Sequence, residues 1–390
     1  MHVLALNAGS SSLRYQVIDP DTGETAVSGH IERIGEEHAK VVSTAGDDER
    51  EEKVDVADHA EALELMHRLL DDQGGVEVVG IGHRVVHGGP RLSRPVVVDD
   101  AVLREIDRLA VFAPLHNPAA ASGIRSARAS WPDVPQVACF DTGFFADIPA
   151  AAATYAIERE LAERHEVRRY GFHGLSHEYV AGRAAHHLGR AVTDLDQIVL
   201  HLGNGASASA IRGGRPVDTS MGLTPVEGLV MGTRSGDLDP GLLPYLQRQA
   251  GLDADALDEL LNERSGLYGL TGHTDFRDLE AALQGSDEVA HAAFDVYVHR
   301  LRKYVGAYLA VLGGADAISF TAGVGENNAR VRAAVCAELE PLGVVLSAER
   351  NAAPAGQARR ISADGSTVTV LVVPTNEELA IARKTAALLR

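Results

Sequence analysis

Lysine is scarce in this 390-residue chain: of 36 basic residues only Lys40, Lys53, Lys303 and Lys384 are lysines. None of the four stands in a Gly-rich loop, and no Gly-x-x-x-x-Gly-Lys-[Ser/Thr] occurs, which excludes a P-loop. The Gly-rich loop, strand Lys and paired Asp/Asn metal loops of protein kinases are missing too. Any phosphate chemistry must therefore use backbone N–H groups and Arg. Cysteine is equally sparse. Cys139 and Cys336 lie far apart without a Cys-x-x-Cys spacing, so neither a disulfide framework nor a thiolate metal site is indicated, and a reducing cytoplasm fits. No apolar run approaches the ~20 residues that cross a bilayer, so no membrane is implicated. The first such run, Val3 to Leu6, has no basic segment ahead of it and reads as a strand, not a signal peptide. Positive charge is also lacking: 36 basic against 55 acidic residues give a net charge of -19, which disfavours nucleic acid as a partner. An anionic ligand would need a local island of Arg, His, backbone N–H and metal within that acidic field.

What is present is the composition of a folded, water-soluble protein, 45% hydrophobic and 23% charged, long enough for two domains. Its clearest pattern is a repeat. LALNAGSSSLRYQVID (4 to 19) and IVLHLGNGASASAIR (198 to 212) each read as a strand, a turn of small residues and a second strand. Small residues let the backbone bend tightly and leave N–H groups free to face an anion. Gly203-x-Gly205-x-x-Ala208 also matches a dinucleotide fingerprint, but that requires a helix to follow. Here Ser207, Ser209 and Arg212 alternate with apolar residues up to the Gly213-Gly214 turn, a period of two. One hairpin in each half predicts a duplicated architecture.

Between the hairpins, residues 57 to 72 carry Leu63, Met66, Leu69 and Leu70 at helical spacing, a packing face. The acidic segment 36 to 58 predicts surface strands and loops. AISFTAGVGENNARVRAAV (317 to 335) runs from an apolar strand through a Gly loop into a helix, and Thr375-x-x-Glu378 predicts a capping box on the last helix, with Glu377 in its first turn. Strands alternating with helices predict two α/β lobes around a cleft, residues 1–146 with 379–390 and residues 147–378.

Charged and polar residues sit where chemistry would want them. GHRVVHGG (82 to 89) sets Arg84 in an apolar strand-like run, where it either binds a ligand carboxylate bidentately or makes an internal ion pair. PLHNPAAA (114 to 121) places His116 ahead of Asn117 as N-cap and Pro118 at the first helical position. FHGLSHEYV (172 to 180) puts His173 in a Gly turn before a helix capped by Ser176. His177 is four residues on, but no third zinc ligand stands nearby, so a His donor aimed at an anion is the better reading. MGTRSGDLDPG (231 to 241) packs Arg234 between Gly232 and Gly236; its Asp237 and Asp239 do not complete an EF-hand pattern. An Arg so placed suits phosphoryl transfer, where moving charge must be neutralised.

LNAGSSSLRY, GHRVVHGG, PLHNP, FDTGFF, RRYGFHGLSHEYV, HLGNGAS, MGTRSGDLDPG, FTAGVGEN and PTNEE together resemble the acetate kinases, in order and spacing over essentially the whole chain. The resemblance implies an actin-like, ribonuclease H-like α/β fold of two duplicated lobes around a central cleft, and a homodimer. It implies reversible, direct in-line transfer of the ATP γ-phosphoryl group to acetate, giving acetyl phosphate and ADP, with Mg2+ or Mn2+ in its place. By that resemblance Asn7 and Glu377 hold the metal, directly or through water. Arg84 and Arg234 hold the acetate carboxylate, His173 with Arg234 stabilises the transferring phosphoryl group, His116 assists binding, and Asp141 positions Arg or metal. Acetate is already ionised at neutral pH, so no general base is needed. Val86, Leu115, Phe172 and Pro225 line a methyl pocket. ATP or ADP lies along Ser10, Ser12 and Arg14, along His201, Leu202, Gly203, Asn204 and Gly205, along Asp275, Phe276 and Arg277, and along Gly323, Val324, Gly325, Glu326 and Asn327.

Two positions depart from the family pattern: Arg14 replaces a usual Lys, which keeps the charge with different geometry, and Leu175 replaces a common Thr. A propionate or butyrate kinase shares the implied fold and reaction. An actin-like nucleotide switch shares the fold without transfer to a small molecule, and has no use for Arg84, His116 and His173.

Overall fold

The apolar run ahead of Asn7 and the alternating stretch after the first Gly/Ser turn form two paired strands. A computed structural model describes residues 1–9, 12–46, 48–72 (residue 72 by its backbone), 76–114, 116–274, 276–354 and 356–390. These form two units, Met1–Ala146 with Asn376–Arg390, and Asp147–Thr375. The chain re-enters the first unit at Asn376, ahead of residue 379. Asn376 caps the last helix, Glu377–Leu389, its side chain accepting from the Leu379 amide, so Glu377 and Glu378 belong to that helix.

The first unit contains β1 (His2–Ala8), β2 (Ser12–Ile18), β3 (Thr25–Glu32), β4 (Ala39–Ala45), β5 (Asp48–Val54), β6 (Val78–Val85), β7 (Val96–Val97) and β8 (Gln136–Phe140), in the order β5-β4-β3-β2-β1-β6-β8-β7. Strands β1 to β5 are an antiparallel meander; β6 runs parallel to β1 and β8 parallel to β6. Edge strand β5, DEREEKV, is exposed and charged, which discourages pairing with another sheet edge. Gly80 and Gly82 in β6 have no side chain because the last helix lies against them: a Cβ on Gly82 would meet Thr385 Oγ1 at 2.3 Å and Ile381 Cγ2 at 2.5 Å. Helix His59–Asp72 buries Leu63 and Met66 in the core of this unit, each worth roughly 2 kcal/mol, while Leu69 and Leu70 are half-buried.

The second unit contains β9 (Asp196–Leu202), β10 (Ala206–Arg212), β11 (Arg215–Thr219), β12 (Ala317–Thr321), β13 (Arg359–Arg360) and β14 (Thr369–Val372), ordered β11-β10-β9-β12-β14-β13. The stretch β3-β2-β1-β6-β8-β7 in the first unit has the same logic: an antiparallel trio, two further parallel strands, one closing antiparallel strand. Strands β8 (QVACF) and β12 (AISFT) are buried along their whole length, as parallel strands covered on both faces require.

Three helix starts differ from the sequence reading. Helix Asn117–Ser130 begins with His116 as N-cap, without a side-chain bond, because the Asn117 amide is drawn to the main chain at His87. Helix Gly174–His187 has His173 at its N-cap, so Ser176 lies inside it and its hydroxyl is used elsewhere. Thr375 does not cap the last helix; its hydroxyl bonds that of Ser176 at 2.8 Å. The Gly-containing segment after β12 is itself helical, Ala322–Asn327, with no intervening loop.

Candidate active site

In the first unit the neighbouring parallel strands β1, β6 and β8 bring their C-terminal ends together, where ligands of open α/β sheets bind. Those ends carry Asn7, Arg84 and, one residue beyond β8, Asp141. Arg84 is the hub. Its Nη2 donates to Asp141 Oδ2 at 2.6 Å and its Nε to the same oxygen at 3.1 Å. Its Nη1 donates to Asn7 Oδ1 at 3.1 Å, and Nε stands 3.7 Å from Glu377 Oε2. The internal ion pair is thus formed. A guanidinium has five N–H groups, so these bonds still leave one on each Nη for a ligand. Burial opposes the Arg84 charge, but Asp141 and Glu377 outweigh it and hold the guanidinium more firmly protonated than usual. Burial likewise pushes the Glu377 carboxyl up; Arg84 offsets this and Glu378 adds to it.

The turn after β6 is fixed from both sides. Asn117 accepts from the His87 amide at 3.1 Å and donates to the His87 carbonyl at 3.0 Å, while Thr142 Oγ1 accepts from the Gly88 amide. Gly88 is required there, since a Cβ would lie 2.1 Å from the Leu92 carbonyl oxygen. Val86 is buried beside this turn, and His116 stands at the end of the helix that Asn117 enters. Arg14 is exposed and donates to His30 Nε2 at 3.4 Å, and the Ser12 carbonyl accepts from the Gly9 amide at 2.8 Å. Ser10, Leu115 and Asp275 lie outside the described residues.

In the second unit, His173 adopts the left-handed conformation, φ 57°, at the start of its helix. Its Nδ1 shares Ser207 Oγ, at 2.9 Å, with Nε2 of buried His177, whose Nδ1 meets Ser209 Oγ. His201 stacks on the His173 ring, centroids 4.2 Å apart, and is tied through Ser176 to Thr375. The helical spacing of His173 and His177 therefore serves a shared serine. Burial, with His201 nearby, drives the His177 pKa far down, so that ring is neutral. The Arg234 loop is closed at its neck by Asp237, whose carboxylate accepts from the Gly228 amide and Tyr304 and forms an ion pair with Arg300, which donates to the Asp237 carbonyl. Arg234 Nη1 donates to the Pro225 carbonyl at 3.3 Å. Both groups converge on the β9–β10 turn: a Cβ on Gly205 would sit 3.4 Å from His173 Nε2 and 3.7 Å from Arg234 Nη1. Phe172 is buried next to His173 in this unit.

A cavity of about 840 Å3 in the second unit is walled by Gly203, Asn204, Phe276, Arg277, Gly323, Val324 and Asn327, all anticipated from the sequence. Thr274, Glu280, Gln284 and Tyr297, which the sequence reading missed, also line it. A helical signal was available for one of them, since Phe276 and Glu280 are four apart on helix Phe276–Ala282. His201, Leu202, Gly205, Gly325 and Glu326 are not in that wall. Glu326 Oε1 instead accepts from the Ala322 and Thr375 amides, and the Gly325 carbonyl accepts from buried Arg332.

The acetokinase family profile matches residues 2–383. The chain belongs to the acetokinase family. An acetate kinase of Streptomyces coelicolor is 54% identical over 392 aligned residues, 99% of this chain and 96% of its own. Among solved structures, acetate kinase of Porphyromonas gingivalis is 40% identical, TM-score 0.92, covering 100% of both chains. A propionate kinase of Francisella tularensis is 38% identical, TM-score 0.94, covering 99% of both. The two sheets of like order are thus the actin-like α/β fold that the sequence implied. Among the described residues no helix is long and apolar enough to cross a membrane.

Proposed function

We propose that this protein is an acetate kinase, transferring the γ-phosphoryl group of ATP to acetate and back in one in-line step. The observation that carries this reading is the convergence of Arg234 and His173 on the Gly205 turn. In-line transfer needs little covalent chemistry and much positioned positive charge and N–H around the moving phosphoryl group. Arg234 supplies a fixed guanidinium and His173 a ring held through Nδ1, so that Nε2 is the nitrogen offered outward. ATP or ADP would occupy the 840 Å3 cavity, whose lining includes Phe276 and Val324 as apolar surface and Gly203 and Asn204 from the β9–β10 turn.

Acetate arrives as an anion, so no residue has to remove a proton. In the first unit Arg84 would offer a carboxylate the N–H groups it keeps beyond Asp141 and Asn7, and in the second unit Arg234 would offer its guanidinium. Asp141 is a positioning residue: fully buried, it fixes the plane of Arg84 by its two-point ion pair. Val86 in the first unit, and Phe172 and Pro225 in the second, would offer apolar surface to a methyl group, and His116 would help to orient the substrate.

Mg2+ would be held by Asn7 and Glu377, directly or through water. Their side chains fit in kind, because both offer oxygen atoms, the ligands a hard cation takes, and one of them is a carboxylate. Among the described residues no group of three His, Cys, Asp or Glu side chains could hold a metal ion. When bound, Mg2+ neutralises phosphate charge. Buried Cys139 and Cys336, which form no disulfide, accord with a reducing cytoplasm, and Val111, 75% exposed, is one of the surface apolar residues that a homodimer could cover.

The test is hydroxylamine trapping of acyl phosphate formed from ATP, Mg2+ and acetate, propionate or butyrate. One methylene in an apolar pocket is worth ~1 to 3 kcal/mol, so propionate should follow acetate by about 10- to 200-fold in kcat/KM. Butyrate as the best substrate would move the assignment to a longer-chain kinase. ATP turnover indifferent to any carboxylate would favour a nucleotide switch.

A further inference from the structure

One half-buried polar clamp grips both stretches of chain that carry the phosphoryl-facing groups. Arg169 lies four residues ahead of His173. Its Nη1 donates to the carbonyls of Thr219, Ser220 and Met221 at 3.0, 3.1 and 3.3 Å, and its Nη2 to Glu227 Oε1. Tyr155 donates its hydroxyl to the other Glu227 oxygen and accepts from the Leu223 amide at 3.0 Å. Its ring lies under the Arg169 guanidinium, 5.6 Å from centroid to Cζ. The Tyr170 amide completes the tie, donating to the Gly222 carbonyl at 3.0 Å. Gly222 must be glycine, because a Cβ would lie 1.9 Å from Glu227 Oε2 and 2.1 Å from Tyr155 Oη.

The segment held in this way, Thr219 to Gly228, contains Pro225, whose carbonyl receives Arg234. Arg169 therefore sets the path of the chain into His173, and through Glu227 and Tyr155 it sets the carbonyl that orients Arg234. The side chains of Arg169 and Glu227 are 16% and 31% exposed, so the pair is partly desolvated and geometrically demanding. Nothing in the chemistry of transfer requires these three residues to touch substrate.

We propose that Arg169, Glu227 and Tyr155 are positioning residues that fix the spacing of His173 and Arg234 across Gly205. The proposal rests on the reading that those two groups hold the transferring phosphoryl group. A misplacement of about 1 Å in such a constellation can cost on the order of 100-fold in rate.

The experiment compares Glu227→Gln and Tyr155→Phe, each alone and combined with Arg234→Ala, by kcat, KM for ATP and calorimetric ADP affinity. Alone, each should lower kcat at least 10-fold while ADP affinity stays within 2-fold, since the nucleotide cavity does not include the clamp. In the Arg234→Ala background the further loss should be clearly smaller than in the wild-type background, because the clamp then has only His173 left to orient. Unchanged kcat in Tyr155→Phe, or an equal loss in both backgrounds, overturns the clamp as a positioning device. If Glu227→Gln does not fold, Tyr155→Phe decides alone. A wild-type-like Arg234→Ala would instead sink the reading of the phosphoryl site on which the clamp rests.

Discussion

Arg84 presents the Nε/Nη2 edge of its guanidinium to Asp141, with Nη2 2.6 Å from Oδ2, and Asp141 is fully buried behind it. The pair gives each partner a reason to be charged in the interior, and it leaves the outer N–H groups of Arg84 for a carboxylate.

Removing Asp141 strands the Arg84 charge. Asp141→Ala should destabilise the protein by about 3 kcal/mol, the lower end for a broken buried pair, because Asn7 and Glu377 remain near Arg84. The KM for acetate should rise more than 10-fold. Denaturant unfolding and steady-state kinetics check this; an unchanged midpoint would show that Arg84 finds adequate partners elsewhere.

Gly205 has no side chain where His173 and Arg234 meet. A Cβ there would make ordinary contact with both, so Gly205→Ala should fold with little change in stability. It should nonetheless lose at least 100-fold in kcat, because the methyl group takes the space between the two donors. Thermal melts beside acyl phosphate assays decide; a fully active variant would place the phosphoryl group elsewhere.

Acid should unfold the protein through its buried histidines. Burial, partly countered by the hydrogen bond to Gln136, pushes the His83 pKa down from 6.5 to about 4. His177 is also driven well down, by burial and by His201. The unfolded chain takes up a proton at each near pH 6.5, while the folded state resists. Their stabilisation is therefore complete above pH ~6.5 and lost as pH falls toward the folded pKa, roughly 3 kcal/mol for His83. Urea unfolding between pH 7 and 4.5 should show that fall, and His83→Gln should reduce its slope by about one proton, ~1.4 kcal/mol per pH unit. An identical slope in the variant would remove His83 from the account.

Asn7 and Glu377 should appear in the metal dependence. Asn7→Ala and Glu377→Gln should each raise the Mg2+ concentration for half-maximal rate about 10-fold, the size expected for loss of one oxygen ligand or its partner. A Mg2+ titration at saturating ATP and acetate is the check, and unaltered half-saturation would move the metal to other ligands.

The paired hairpins were legible in the sequence because tight turns demand small residues and strands show a period of two; β1–β2 and β9–β10 fall where those patterns lie. The helix starts were less so. Ser176 and Thr375 look like caps by residue type, yet each hydroxyl is captured by a partner distant in sequence, and no local pattern reports that. Arg84 illustrates the same limit: its apolar setting revealed that it needs a carboxylate and the family resemblance pointed Asp141 at Arg or metal, but the side-by-side ends of β6 and β8 are what bring Asp141 to Arg84. Ser207 alternates as a strand residue should, and its bridging of His173 and His177 is a tertiary fact. Glu280 and Gln284 escaped notice because a cavity wall gathers residues from several elements.

The most direct test of the central claim is acetate-dependent acyl phosphate formation, trapped with hydroxylamine, in wild type and Arg234→Ala at saturating Mg2+ and ATP. The account predicts acetyl phosphate from the wild type and a fall of at least 1,000-fold in kcat in the variant, the scale of an arginine acting on a transferring phosphoryl group. Acetyl phosphate absent from the wild type would contradict the kinase assignment, and a variant as fast as wild type would contradict the role given to Arg234.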